Sequence, residues 1–168
     1  MAVTEKATRS IYKYKVKDIF NNEVPLDLYQ NKVLLIVNTA SNCDYTEQYK
    51  ELEEIYKKYH KLGFEILAFP SNDFGNQEPL SGVQIHDFCQ SKFKTSFKIF
   101  NKTKVKGLGA NPLFQFLSEK GLNGKINMYP KWNFHKYLVN RNGEVVDYFF
   151  TITKPNSPKI LYAIEKLL

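Results

Sequence analysis

The sequence has only two cysteines, Cys43 and Cys89, and no long apolar run. Two cysteines are too few for the disulfide framework that stabilises small secreted modules. The longest apolar stretch is Val33–Val37, whereas a membrane-spanning helix needs about 20 apolar residues. Residues 1–10 are partly charged and precede no apolar run, so they do not resemble a secretory signal, and we expect them to be flexible. The sequence also has no repeat or linker. These absences predict a cytoplasmic protein with one domain spanning residues 1–168.

Composition excludes intrinsic disorder, and the absence of known motifs argues against a nucleic-acid partner. A hydrophobic content of 43% and an aromatic content of 15% exclude intrinsic disorder. The 24 Lys and Arg residues exceed the 17 Asp and Glu residues, which gives a formal net charge of +7. Such a charge could attract nucleic acid, an anionic membrane or an acidic protein. The sequence contains no zinc motif, RNP aromatic motif or dense basic cluster, so we expect no nucleic-acid partner. The three histidines and two cysteines have no metal-ligand spacing.

Hydrophobic patterns predict a βαβ unit after a short hairpin. Residues 11–16 alternate with period two and are followed by the turn residues Asn21 and Asn22, which predicts an N-terminal β-hairpin. Val33–Val37 is typical of a strand covered on both faces. A helical apolar stripe runs from Tyr45 to Tyr59, and Gly63–Phe69 then predicts a second buried strand. Strand, helix and strand in this order predict a parallel pair.

The remainder of the chain adds further helices and an antiparallel hairpin. Helices are predicted over 80–93 and 112–119, and an amphipathic helix over 160–168 ends the chain. Residues 134–139 and 144–150 flank Arg141-Asn142-Gly143, a strong hairpin signal. The predicted fold class is α/β, with a central mixed β-sheet flanked by helices and an N-terminal β-hairpin.

Cys43 follows the first predicted parallel strand, at the start of the predicted helix Tyr45–Tyr59. In open α/β sheets, ligands bind in the crevice beyond the carboxyl ends of the strands. Free N–H groups at a helix N-terminus favour a thiolate over a thiol. A free cysteine is also commonly a small buried hydrophobe. Position alone therefore leaves a catalytic role and a packing role both open.

Three sequence blocks resemble the glutathione peroxidase family. The block 38–46, Asn-Thr-Ala-Ser-Asn-Cys-Asp-Tyr-Thr, is similar to the active-site segment that contains the family's cysteine or selenocysteine. The block 67–79, Leu-Ala-Phe-Pro-Ser-Asn-Asp-Phe-Gly-Asn-Gln-Glu-Pro, is similar to the family's second block. The block 132–139, Trp-Asn-Phe-His-Lys-Tyr-Leu-Val, is similar to its third. The resemblance covers residues 11–168.

The resemblance implies a thioredoxin-like fold and a thiol peroxidase that reduces hydrogen peroxide and organic or lipid hydroperoxides. By motif position, Cys43 would be the peroxidatic residue, and Gln77, Trp132 and Asn133 would complete a catalytic tetrad. These three side chains offer neutral N–H donors, which can stabilise a sulfur anion or a leaving oxygen. Attack on the peroxide would convert Cys43 to a sulfenic acid. No metal or bound cofactor is implied.

The resemblance also implies a role for Cys89. In non-selenium members, a second cysteine in this region attacks the sulfenic acid and passes the resulting disulfide to thioredoxin. Cys89 lies four residues before Phe93-Lys94, which is one residue further than in many plant-type members. We therefore expect a Cys43–Cys89 disulfide and thioredoxin as the reductant. A glutathione-dependent peroxidase and a peroxide sensor that relays its disulfide to a partner protein remain alternatives.

The sequence departs from the family pattern at Asp44 and lacks one of the family's insertions, and three lysines lie near the third block. Asp44 stands where the family has glycine, and it opposes a sulfur anion while favouring a helix N-terminus. The chain lacks the insertion that builds tetramers in some relatives, so the resemblance implies a monomer with an open site. Lysines near the third block could contact lipid phosphates: Lys125, Lys131 and Lys136.

Overall fold

The computed structural model describes residues 9–168. The strands are β1 (Lys15–Lys17), β2 (Glu23–Pro25), β3 (Val33–Thr39), β4 (Phe64–Pro70), β5 (Lys98–Ile99), β6 (Lys136–Val139) and β7 (Val145–Phe149). The α-helices are α1 (Gln48–Tyr59), α2 (Val83–Phe93), α3 (Pro112–Ser118), α4 (Lys120–Asn123) and α5 (Pro158–Leu167). In this described part of the chain, no helix has the length and apolar character needed to cross a bilayer.

The centre of the fold is a mixed sheet with the strand order β5-β4-β3-β6-β7. Strands β3, β4 and β5 are parallel, whereas β6 is antiparallel to β3, and β7 is antiparallel to β6. The predicted βαβ unit and the predicted hairpin around residues 141–143 are both confirmed. The carboxyl ends of β3 and β4 and the amino end of β6 therefore lie along one edge of the sheet, where loops can converge.

Strand β3 is buried on both faces because it separates two apolar clusters. Val33, Leu35 and Val37 pack into the cluster that contains buried residues of α1, α2 and α5. Leu34 and Ile36 pack into the opposite cluster, which contains α3 and the N-terminal hairpin. This arrangement explains the unbroken apolar run in the sequence, since each face of the strand has its own core.

The N-terminal hairpin is confirmed, but its first strand is shorter than predicted. Residues Ile11–Lys13 form a 3-10 turn instead of a strand, because the Ser10 hydroxyl accepts a hydrogen bond from the backbone N–H of Tyr12. Ile11 is fully buried, and its N–H donates to the carbonyl of Gly143 at 3.0 Å. The pairing of β1 with β2 is thus confined to residues 15–17 and 23–25.

The two long helices begin later than predicted. Helix α1 begins at Gln48, so Tyr45 precedes it, and the predicted start at Tyr45 is wrong. Helix α2 begins at Val83, after Gly82. The predicted helices over 112–119 and 160–168 are confirmed with small shifts at their ends. The short elements β5 and α4 have too few residues to show a periodic pattern in the sequence.

Gly63 joins helix α1 and its short 3-10 extension to strand β4. Its φ of 100° lies in the left-handed region that favours glycine. A Cβ atom at this position would lie 2.8 Å from Nη1 of Arg141. The Arg141 guanidinium donates hydrogen bonds to the carbonyl oxygens of Asn31, Leu62 and Leu168. Because Gly63 has no side chain, the Arg141 guanidinium has the space to bind these three carbonyl oxygens.

We predict that Gly63→Ala lowers the free energy of unfolding by about 1–2 kcal/mol, because it adds backbone strain and displaces the Arg141 guanidinium. The matched control is Gly121→Ala in α4, where an added Cβ has no neighbour within 4 Å. The control should be neutral or stabilising by about 0.5–1 kcal/mol. Urea titration followed by circular dichroism measures both changes. Equal stabilities for the two variants would contradict this account of Gly63.

Candidate active site

Cys43 lies in a turn between β3 and α1 and is half-buried. Thr46 shapes this turn, because its hydroxyl accepts the backbone N–H of Cys43 and donates to the carbonyl of Ala40, both at 2.9 Å. The backbone N–H of Tyr45 lies 3.4 Å from Sγ of Cys43 and donates to it. The turn thus holds the sulfur at the end of β3 with one N–H group directed at it.

This environment corrects the predicted position of Cys43 at a helix N-terminus. Helix α1 begins five residues later, at Gln48, so its first free N–H groups do not surround the sulfur. The turn residues between Cys43 and Gln48 are instead held by the side chain of Thr46. A local backbone donor, the N–H of Tyr45, takes the place that the sequence assigned to the helix dipole.

Asn38, at the end of β3, fixes the loop that carries Trp132 and Asn133. Its side-chain amide donates to the carbonyl of Trp132 at 3.0 Å. Its backbone carbonyl accepts the N–H of Phe134, and its backbone N–H donates to the carbonyl of His135. These bonds attach residues 132–135 to the same strand that leads into the Cys43 turn. Phe134 adopts a φ of 64°, so the chain bends sharply at this point.

Asn133 and Gln77 form a directed pair of amides. Asn133 is fully buried, and its Nδ2 donates to Oε1 of Gln77 at 3.0 Å and to the carbonyl of Phe74 at 3.3 Å. An amide nitrogen has two N–H donors, so this arrangement uses both of them. Asn133 binds the side-chain oxygen of Gln77, which fixes the orientation of that amide. The NH₂ group of half-buried Gln77 can therefore donate to another partner.

Trp132 packs beside this pair against the loop that follows β4. Its ring lies 5.7 Å from that of Phe74. At Gly75, where φ is 68°, a Cβ atom would lie 3.1 Å from Cη2 of Trp132 and 3.4 Å from the side chain of Gln77. A larger residue at Gly75 would therefore crowd both side chains. Because Gly75 has no side chain, the indole of Trp132 and the side-chain amide of Gln77 can both pack against it.

The structure brings Gln77, Trp132 and Asn133 together and joins them to the Cys43 turn. The joint is a backbone hydrogen bond of 2.9 Å from the N–H of Asn42 to the carbonyl of Gln77. Four residues from three segments that lie far apart in sequence thus occupy loops at one edge of the sheet. The arrangement places a half-buried cysteine and neutral N–H donors on hydrogen-bonded loops, a combination that could support attack by a thiolate on a polar bond.

Cys89 lies in a different environment, on the inner face of α2. It is fully buried in the apolar cluster shared with α1 and is a free thiol, as is Cys43. Burial, with a smaller contribution from the charge of Glu78, raises the pKa of Cys89 to about 12. The folded state therefore stabilises Cys89 as a protonated thiol. It must leave this position before it can react as a thiolate.

Two ionisable residues inside the third block are buried. Lys136 is fully buried, with its Nζ donating to the carbonyl of Phe134 at 2.6 Å, so the expected contact between Lys136 and lipid phosphates is wrong. Burial lowers the pKa of Lys136 to about 7. His135 is fully buried as well, packed against the rings of Tyr137 and Tyr148. The sequence pattern of the block contains no signal for this burial of charge.

Asp73 and Glu78 are site residues whose roles the sequence did not reveal. Oδ2 of Asp73 accepts the backbone N–H groups of Val105 and Lys106, at 2.6 Å and 3.2 Å. Asp73 thereby ties the loop after β4 to the loop before α3. Glu78 is buried beside the Cys43 turn. Their position in the second block, which also contains Gln77, is the sequence signal that could have indicated both. Residues 9–168 contain no His, Cys, Asp or Glu cluster that could bind a metal ion.

Comparisons with known proteins agree with this geometry. A family model described as Glutathione peroxidase matches residues 11–118. Glutathione peroxidase 1 of Helianthus annuus is 47% identical over 169 residues, covering 100% of this chain and 98% of that protein. The chain belongs to the glutathione peroxidase family. It is therefore a thiol peroxidase that reduces hydroperoxides. Its chemistry needs no cofactor, since thioredoxin or glutathione supplies the electrons.

Other similar proteins include a peroxiredoxin and solved structures. Glutathione peroxidase-like peroxiredoxin 2 of Saccharomyces cerevisiae is 47% identical over 152 residues, covering 89% of this chain and 93% of that protein. The crystal structure of T. cruzi GPX1 has a TM-score of 0.70 at 32% identity and covers 94% of each chain. A thioredoxin-family thiol:disulfide interchange protein from Chlorobium tepidum has a TM-score of 0.61 at 12% identity, over 92% of each chain. The thioredoxin-like fold expected from the sequence is confirmed.

His135 makes the stability of this peroxidase sensitive to acid. Both ring nitrogens are buried without a hydrogen-bond partner among the described residues. Burial, helped by the charges of Lys136 and Lys131, lowers the pKa of His135 to about 4 from 6.5. Between these two pH values the unfolded chain binds a proton that the folded chain does not bind. Stability therefore falls as the pH falls from 6.5 to 4, by up to about 3 kcal/mol.

We predict that His135→Phe removes most of this loss. Phenylalanine fits the surrounding aromatic rings and has no nitrogen to protonate, so the variant should be at least as stable as the wild type at pH 7. The measurement is the free energy of unfolding in urea at pH values from 7 to 4.5. The control, His86→Gln at a partly exposed histidine, should follow the wild-type profile. Parallel pH profiles for the wild type and His135→Phe would show that His135 does not carry the effect.

Proposed function

We propose that Cys43 is the peroxidatic residue and that Gln77, Trp132 and Asn133 assist it. The Cys43 thiolate attacks the terminal oxygen of the hydroperoxide, so an S–O bond forms and the O–O bond breaks. The products are a Cys43 sulfenic acid and, after uptake of a proton, an alcohol or water. The observation that carries this proposal is the convergence of the Cys43 turn with the Asn133–Gln77 amide pair at one edge of the sheet.

Within this group, Asn133 and Gln77 have different tasks. Both N–H donors of Asn133 are used inside the protein, so Asn133 acts as a positioning residue for Gln77. The NH₂ group of Gln77 and the indole N–H of half-buried Trp132 are the donors for the sulfur anion or the peroxide oxygens. Neutral donors stabilise developing charge without binding the thiolate in an ion pair, which would lower its reactivity.

The sulfenic acid is resolved by Cys89 in this proposal. The Cys89 thiol attacks the Cys43 sulfur, so a disulfide forms and water leaves. Helix α2 is suited to release Cys89, because only Ile85 and Cys89 are fully buried among its residues and Gly82 gives its first turn no side-chain cap. The far end is held by Glu53, which accepts the backbone N–H and the hydroxyl of Ser96. The helix should therefore open from its N-terminal end.

Thioredoxin is the proposed reductant of the Cys43–Cys89 disulfide. A relative of this chain is named a peroxiredoxin, and a protein disulfide is the group to which reduced thioredoxins donate electrons. A peroxide sensor is a second candidate, because the deep burial of Cys89 could leave the sulfenic acid long enough for a partner thiol to reach it. Both candidates use the same two thiols and differ in turnover.

Substrate range and assembly follow from the same site. We propose a monomer that accepts phospholipid hydroperoxides as well as smaller ones, since several relatives carry phospholipid hydroperoxide glutathione peroxidase in their names. Lys125 and Lys131 are exposed and could contact lipid phosphates, unlike Lys136. The cytoplasmic location stays a prediction, because residues 1–8, on which it partly depends, lie outside the described residues.

The test of the proposed function is NADPH consumption with tert-butyl hydroperoxide or phosphatidylcholine hydroperoxide. The thioredoxin system and glutathione with its reductase are run in parallel, with Cys43→Ser as the blank. We expect turnover with thioredoxin, loss of at least about 90% of it in Cys89→Ser, and little turnover with glutathione. Turnover with glutathione that survives Cys89→Ser would contradict a resolving role. Oxidation of Cys43 without turnover in either system would favour the sensor.

The amide pair makes a second prediction. Gln77→Ala and Asn133→Ala should each slow oxidation of Cys43 by hydrogen peroxide by about 10–100-fold. The double variant should be little slower than either single variant, because Asn133 acts through Gln77. Stopped-flow fluorescence of Trp132, the chain's single tryptophan, gives the rates. Exposed Gln30→Ala is the control and should be unchanged. Multiplied effects in the double variant would show that the two amides act independently.

A further inference from the structure

A buried carboxyl group lies beside the Cys43 turn. Glu78 has no exposed surface. Its backbone is held on both sides: its N–H donates to Oδ1 of Asn72 at 3.0 Å, and its carbonyl accepts Nζ of Lys102 at 2.8 Å. The lysine thus binds the backbone, and no described ion pair neutralises the carboxyl group itself. Burial of the ionised form of a carboxyl group in this way costs free energy, which favours the protonated form.

The carboxyl group of Glu78 is hydrogen-bonded to the turn through Ser41. The Ser41 hydroxyl donates to Oε1 of Glu78 at 2.5 Å, and Ser41 lies two residues before Cys43. The adjacent bond from Asn42 N–H to the carbonyl of Gln77 keeps residues 41–42 alongside residues 77–78. Oε2 of Glu78 is buried with no partner among the described residues, so it has an unused acceptor site. Burial raises the pKa of this carboxyl group.

The proposed peroxidase reaction has to move a proton that its other residues cannot hold. The Cys43 thiol loses its proton before the attack, and the alkoxide that leaves the peroxide must gain one. The side chains of Gln77, Trp132 and Asn133 donate hydrogen bonds but do not exchange a proton near neutral pH. A general acid–base group near the sulfur would store the proton between the two steps.

We propose that Glu78 stores this proton and that Ser41 relays it. The inference rests on the proposed function of Cys43. The Cys43 thiol proton passes to the Ser41 hydroxyl while the Ser41 proton passes to the Glu78 carboxylate. The thiolate then attacks the terminal oxygen, an S–O bond forms and the O–O bond breaks. The proton returns through Ser41 to the leaving alkoxide, so the products are the sulfenic acid and an alcohol.

Other ionisable groups near the turn are less suited to this role. The ring of His135 packs among aromatic side chains of β6 and β7, and Nζ of Lys136 is bound to backbone carbonyls. Asp44 follows Cys43 directly and is exposed to solvent. Asp44 is therefore the matched control, since it is a carboxylate at least as close in sequence but without the bond to Ser41.

The test compares two oxidants that differ in the leaving group. Loss of tert-butoxide from tert-butyl hydroperoxide needs a proton, whereas loss of acetate from peracetic acid does not. The rate of Cys43 oxidation is measured in a single turnover for the wild type, Glu78→Gln, Ser41→Ala and Asp44→Asn. We expect Glu78→Gln and Ser41→Ala to be slower with both oxidants, because the Cys43 thiol loses its proton in either case. The slowing should be about 100-fold with tert-butyl hydroperoxide and at most about tenfold with peracetic acid, because only the tert-butoxide needs the returned proton. Any effect of Asp44→Asn should be the same with both oxidants.

Each other outcome overturns the proposal in a distinct way. Equal slowing with both oxidants would mean that Glu78 returns no proton to the leaving group. An unchanged Glu78→Gln variant, or selective slowing of Asp44→Asn instead, would remove Glu78 from the proton path. If Glu78→Gln does not fold, as judged by circular dichroism, Ser41→Ala decides, because it removes the relay and leaves the carboxyl group. Failure of the wild type to oxidise Cys43 with either peroxide would instead refute the proposed function.

Discussion

The active-site geometry depends on the hydrogen bonds that Asn38 makes at the end of β3. Its side chain and backbone together bind the carbonyl of Trp132, the N–H of Phe134 and the carbonyl of His135. The same strand continues into the Cys43 turn, so one residue attaches the loop of Trp132 and Asn133 to the strand that leads to Cys43. Asn38 is fully buried, so loss of the partner of its side-chain N–H would cost about 1–3 kcal/mol. The loop positions are therefore set by the sheet itself.

The fold places its two thiols in opposite environments. Cys43 is half-buried in a polar turn with a backbone donor at its sulfur, whereas Cys89 is sealed in an apolar cluster under α2. The proposed disulfide between them requires Cys89 to become exposed, and α2 is the element proposed to move, because only two of its residues are fully buried.

Much of this arrangement was predictable from the sequence, and the exceptions have physical causes. The apolar run of β3 and the turn at Arg141-Asn142-Gly143 depend on local patterns, so both were predicted. The late start of α1 was not, because the Thr46 side chain competes with the helix for the backbone of the turn. The burial of Lys136 and Glu78 depends on partners that lie 15–37 residues away, which no local pattern reveals.

The most direct test of the central claim is to map the oxidised cysteines by mass spectrometry. The reduced protein is treated with one equivalent of hydrogen peroxide, free thiols are alkylated, and the digest is analysed. The account predicts a peptide containing Cys43 linked by a disulfide to a peptide containing Cys89, and a single added oxygen on Cys43 when Cys89 is replaced by serine. Oxygen added first to Cys89, with Cys43 recovered as the free thiol, would contradict it.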